Sequence, residues 1–224
     1  MMINTDLRVH STYSGGELTP KEIIAKAMEE DVYYLSITDV NHVMTYREFK
    51  ALQKKFNGKL IMGTEAVCRW NGVQEVHICL YGDGFQSVKK LLKARKGTLP
   101  SMEELLDAAA ADGLYPVLCD ILRYPLDRKG RFQLIKDFKD ILGPGYYPAG
   151  MEIITRHYNR NAPQVQVMKN MADLMHLYYS SGSNFYGKFP DDNSFMKQEY
   201  LEEIEEEDHI LRPILDQEEV LPFD

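Results

Sequence analysis

This chain is poor in cysteine, in long apolar runs and in positive charge. Cys68, Cys79 and Cys119 are its three cysteines. An odd count without zinc-type spacing argues against a disulfide framework or a cysteine-built metal knuckle, and fits reduced, buried thiols in a cytoplasmic protein. No apolar stretch approaches the roughly 18 residues that a membrane span needs. Strand-like sequence begins by Asp6, so no leader peptide is expected. Lys and Arg total 26 against 34 Asp and Glu, a net charge of −8. A broad DNA-binding face needs the opposite balance, although a local basic pocket remains compatible with it. No repeat of the solenoid kind is present.

What the chain does have is an apolar content of 44% in 224 residues, ample for one large domain or a domain with a tail. Strand-like and helix-like segments alternate. Thr5–Val9 reads as a strand. Thr19, Pro20 and Glu22 form a capping box with proline in the first turn, ahead of Ile23, Ile24, Ala27 and Met28 at helical spacing. Val32–Thr38 is a β-rich run that ends at Asp39, Met44–Phe56 is helical, and Leu60–Thr64 is a strand ending at Glu65. Asn71-Gly72 between Ala66–Trp70 and Val73–Tyr81 is a strong hairpin signal. A second capping box, Ser101 to Glu104, opens a helix that runs to Gly113. Tyr115–Cys119, Met151–Thr155 and Tyr178–Ser180 read as strands. Gln133–Ile141 and Pro163–His176 read as helices. Such alternation predicts a largely parallel sheet, either a barrel or a doubly wound layer. After Pro190 the composition shifts. Gln198–Asp208 is dense in Glu and reads as a surface helix, and Ile210–Asp224 reads as an irregular tail. The expected division is therefore a domain over 1–190 and an acidic helix and tail over 191–224, with a protein partner through the acidic segment as one possible use.

Polar residues fall where strands end: His10, Asp39, Glu65, His77, Asp120 and Asn184. In barrels of parallel strands that rim carries the chemistry. The most telling stretch is Asp6-Leu7-Arg8-Val9-His10-Ser11, in which alternation places Arg8 and His10 on one face. With Leu18-Thr19-Pro20, Ile37-Thr38-Asp39, Gly63-Thr64-Glu65, Val76-His77-Ile78, Leu122-Arg123-Tyr124 and Gly182-Ser183-Asn184-Phe185-Tyr186-Gly187, it resembles the PHP superfamily, the polymerase and histidinol phosphatase domains. The resemblance spans about residues 5 to 190. It implies an α/β fold of the distorted (β/α)7 barrel kind, and phosphoester hydrolysis by a cluster of up to three metal ions held by imidazoles and carboxylates.

Carried over position by position, the resemblance leaves only part of that ligand set. His10, Glu65 and His77 match. Arg8 stands where the first His of an opening His-x-His pair would be, and a guanidinium has no lone pair to give a metal. Gly15, Val40 and Tyr186 replace one ion's ligands, Asn184 replaces an acid, and Asp120-Ile121 stands for His-Pro. Glu65, His77 and Asp120, with His10, could hold at most one zinc, manganese or iron ion. An ion-paired network of Arg8, His10 and Glu65 that braces the mouth is the competing reading. Asp39 reads as a turn brace, and His42 as an exposed loop residue.

Three functions compete. The first is a catalytically weak or inactive domain that binds a phosphate-bearing small molecule or nucleotide through Arg8, Arg123, Arg156 and His157, with Lys188 as a further cation. The second is an active single-metal phosphoesterase, with His10 or Asp120 as general acid or base. The third is a remnant module of a larger polymerase. The first is preferred, because both the opening pair and the closing motif are altered.

Overall fold

The computed structural model describes residues 4–95, 97–143, 148–155, 163–187 and 209–218. The Glu-dense segment 198–208, Arg156, His157 and Lys188 lie outside them. The architecture is α/β. Strands β1 (Asn4–Val9), β2 (Val32–Ile37) and β3 (Lys59–Leu60) form a parallel three-stranded sheet in the order β1-β2-β3. Strands β4 (Gly63–Trp70), β5 (Val73–Tyr81), β6 (Tyr115–Leu118), β7 (Gly150–Thr155) and β8 (Tyr178–Gly182) form a second sheet in sequence order. Its β4–β5 and β5–β6 pairs are antiparallel, and its β6–β7 and β7–β8 pairs are parallel.

The sheet is thus less uniformly parallel than strand–helix alternation predicts. The Asn71-Gly72 hairpin forms as expected, with both residues at positive φ, 40° and 83°. It reverses the chain with no crossover helix, so β5 runs against its neighbours. The expected single strand over Leu60–Thr64 splits as the chain leaves β2 for β5. Gly63 permits this: a Cβ there would stand 2.7 Å from Ser36 Oγ and 2.9 Å from the Tyr81 ring. The two sheets touch through isolated parallel bridges, Val40–Glu65 on one side and Val9–Phe185 on the other.

Seven helices pack around these strands among the described residues: α1 (Pro20–Glu29), α2 (Tyr46–Gln53), α3 (Gln86–Ala94), α4 (Met102–Ala111), α5 (Arg128–Leu142), α6 (Pro163–Leu174) and α7 (Leu211–Glu218). The α1 and α4 capping boxes form as read, with Thr19 and Ser101 accepting from the backbone of Glu22 and Glu104. Helix α3 was not anticipated. Its Lys-rich face hides the stripe that buries Val88 and packs Leu91 and Leu92 on the core. Helix α7 corrects the expectation of an irregular end. Pro213 lies in its first turn, where a missing N–H costs nothing. Ile210, Leu211 and Ile214 are buried against Leu7, Ile61, Tyr81 and Val117, so this stretch is part of the core and not an appendage to it.

Candidate active-site centre

Strand β1 delivers Arg8 and His10 to the strand ends, and both are buried, at 2% and 0% exposure. Arg8 sits within an irregularity of the β1–β2 register between Asp6 and Val9. Glu152 sits at a matching irregularity of β7 against β8. Such bulges turn side chains out of the regular pleat and recur beside sites. Gly182 lets β8 press on β1, since a Cβ on it would lie 2.4 Å from Arg8 Cβ.

The guanidinium of Arg8 is committed to three buried carboxylates. Nε donates to Glu65 Oε2 at 2.7 Å and Nη2 to Glu65 Oε1 at 2.9 Å, a two-pronged grip. Nη2 also donates to Asp120 Oδ2 at 2.7 Å, and Nη1 to Glu152 Oε2 at 3.0 Å. Burial opposes the charge on Arg8, but Glu65, Glu152 and Asp120 more than offset it and hold the guanidinium well above its ordinary value. Burial alone would raise the Glu65 carboxyl, yet Arg8, His10 and His77 keep it well below the usual range. Asp120 is likewise lowered, against burial, by Arg8 first and Arg123 after it. Glu152 goes the other way: burial, with Asp120 and Glu65 nearby, pushes it up to about 8 despite Arg8. Its Oε2 takes both the Arg8 donor and the Asp120 backbone N–H at 3.3 Å.

Around this centre the imidazoles are also engaged. His10 Nε2 lies 2.9 Å from Asn184 Oδ1 and 3.2 Å from Glu65 Oε2, so these two side chains already occupy that nitrogen. The His10 ring stacks on Tyr186 with centroids 4.1 Å apart. His77 Nδ1 contacts Glu65 Oε1, and its side chain is about one-quarter exposed at the rim. Arg123, in the 3-10 turn Ile121–Arg123, reaches Asp120 Oδ2 at 3.5 Å with its side chain 55% exposed. Asp120 itself adopts φ 54°, a left-handed conformation that Asp tolerates. Asp39 braces the turn as read, accepting from the backbone N–H and hydroxyl of Ser11 and the hydroxyl of Ser14 at 2.6–2.7 Å.

The structure therefore brings together Arg8, His10, Glu65, His77 and Asp120, with Arg123 at the edge. His42 is half-buried and lies against the Tyr13 ring at 4.6 Å. Glu152 was missed. A lone acid inside Met151-Glu152-Ile153 on a strand was its signal, because an unpaired charge is almost never buried. Asp6 was missed too; its Oδ1 accepts from the backbone of Arg8 at 3.2 Å and of Ser183 at 2.9 Å, which ties β1 to the end of β8.

A profile described as "PHP domain" matches residues 6–212. The chain belongs to the PHP domain family. Among curated proteins no relative matches. Solved structures share the fold at low identity. An amidohydrolase from Chromobacterium violaceum, described with bound sulfate and no metal, superposes with a TM-score of 0.80 at 19% identity over 96% of either chain. A Bifidobacterium adolescentis protein, provisionally described as a metal-dependent phosphoesterase, gives 0.74 at 15% identity over 97% of either chain.

The donor set of this PHP domain does not fit the metal cluster that its family implies. Among the described residues, no three His, Cys, Asp or Glu side chains are arranged to hold an ion. The carboxylates that would bridge cations are already bridged by a guanidinium. A divalent ion about 4 Å from that charge would meet a repulsion of about 8 kcal/mol at an effective dielectric near 20.

Proposed function

We propose that this PHP domain carries an internal cation, Arg8, in the place of metal, and that it hydrolyses phosphoesters weakly or not at all while binding a phosphate-bearing small molecule or nucleotide. The observation that carries this reading is the four hydrogen bonds from Arg8 to Glu65, Asp120 and Glu152. They satisfy the acids without creating a Lewis acid, so no water at this centre is acidified. The two seam bridges, Val40–Glu65 and Val9–Phe185, favour a distorted barrel whose mouth is this centre.

The anion contact expected of Arg8 is reassigned. The 2% exposure of Arg8 and its three acid partners favour a bracing role over ligand contact. Arg123 and His77 are more exposed, but each already pairs with an acid of the centre, Asp120 and Glu65 respectively. The neighbour from Chromobacterium violaceum, described with sulfate and no metal, supports anion binding on this fold without a metal ion. The test is hydrolysis of p-nitrophenyl phosphate by purified protein with added manganese. The expected rate is indistinguishable from that of Glu65→Ala. A manganese-dependent rate that Glu65→Ala abolishes would overturn the proposal.

A further inference from the structure

With Arg8 held by acids, a phosphate-bearing ligand must find its positive charge elsewhere. A cleft of about 470 Å³ is lined by the segment following β2, by Val67 of strand β4 (two residues along from Glu65), by helix α3 and by residues 97–100. That volume falls within the range of small-molecule sites. Its lining carries Lys89, Lys93 and Arg95 and, among the described residues, no acid, on a chain of net charge −8.

Lys89 and Lys93 lie one turn apart on α3, hence on one face of the helix. Both are exposed, and neither ammonium is held in an ion pair among the described residues. Arg95 is different: Glu104 already pairs with it, so it adds shape more than net charge. The apolar part of the lining includes Val67 of β4 and Leu92 of α3.

Asn41 joins cleft to centre. Its backbone N–H donates to Glu65 O at 2.6 Å, and its Oδ1 accepts from Val67 N at 3.1 Å. The segment 65–67 therefore serves the guanidinium centre through Glu65 and the cleft through Val67.

We propose that this cleft binds a small organic phosphate, with the phosphate against Lys89 and Lys93 and an apolar body on Val67 and Leu92. The proposal rests on the reading above for the class of ligand, and not on the fate of the metal. The test is calorimetric titration of the full chain, in EDTA, with phenyl phosphate and with inorganic phosphate. Phenyl phosphate is expected to bind at least tenfold more tightly, because burial of a ring on the apolar wall adds to the charge contact. The Lys89→Glu/Lys93→Glu double variant, altered only at exposed positions, is expected to melt like the parent and bind phenyl phosphate at least tenfold more weakly. Absent binding, equal affinity in the double variant, or loss caused by Arg123→Ala alone would each overturn the cleft assignment. Manganese-dependent turnover would count against the proposed function only, since cleft binding is read with metal chelated.

Discussion

Replacement of Arg8 by Met removes the one cation shared by three buried acids. Its four donor contacts, at 2.7–3.0 Å, go to side chains that are 1–5% exposed. The variant leaves Glu65 and Asp120, whose carboxyls Arg8 holds below their ordinary range, without their main partner. Breaking a buried pair in this way costs about 3–5 kcal/mol. For a chain of this size that is a fall in melting temperature of roughly 6–20 °C. The loss must also depend on pH. Glu65 and Asp120 have folded-state pKa values below their unfolded ones, so the stability they contribute is present above the ordinary carboxyl range and is lost as pH falls through their folded values. In Arg8→Met that contribution is gone, and burial, no longer offset by the cation, raises both acids. They take up protons as pH falls toward the ordinary carboxyl range of about 4, which relieves the unpaired charge, so the gap between variant and parent narrows by about pH 4.5. Urea unfolding followed by circular dichroism at pH 7.5 and at pH 4.5 measures both points. Arg8→Lys, which keeps the charge but not the planar fork, should fall between parent and Met variant. A neutral-pH loss below about 1 kcal/mol, or one equally large at both pH values, refutes the reasoning.

Other outcomes follow from the same geometry. The folded-state pKa of Glu152 is raised, so the native protein holds that proton more tightly than the unfolded chain. Its contribution to stability is complete below the ordinary carboxyl range and declines as pH rises to about 8. Glu152→Gln keeps an acceptor for Arg8 and should flatten the stability profile between pH 5 and 8; an unchanged profile by urea titration would count against a buried, protonated Glu152. Gly182→Ala places a methyl 2.4 Å from Arg8 Cβ and 3.1 Å from Arg8 N. It should cost about 1–3 kcal/mol or more by overpacking, read as a lower melting temperature, and a neutral effect would contradict the tight β1–β8 seam.

Much of the fold was legible because its elements carry local chemistry. The Thr19 and Ser101 caps and the Asn71-Gly72 turn each specify their own geometry, and each formed as read. What escaped was set by tertiary context. Helix α3 has no side-chain cap, and helix α7 contains Pro213, which reads as a breaker until its position in the first turn is known. The split of β3 from β4 depends on space at Gly63 that no pattern in sequence encodes. At the site, alternation along β1 put Arg8 and His10 on one face, and the resemblance to PHP domains implied Glu65 beside them. Their partner Glu152 comes from a strand 144 residues further on, and only packing reveals that the two meet. Arg8 was read both as a brace and as an anion ligand; its burial and its carboxylate partners favour the brace.

The most direct test of the central claim is equilibrium metal binding. Protein purified without chelator, dialysed against zinc or manganese and analysed by mass spectrometry for metal, should hold well under one ion per chain at this centre. Arg8→His removes the guanidinium and restores an imidazole two residues before His10, so it should take up about one ion under the same conditions. One or more tightly held ions on the parent protein, lost in Glu65→Ala, would contradict the account.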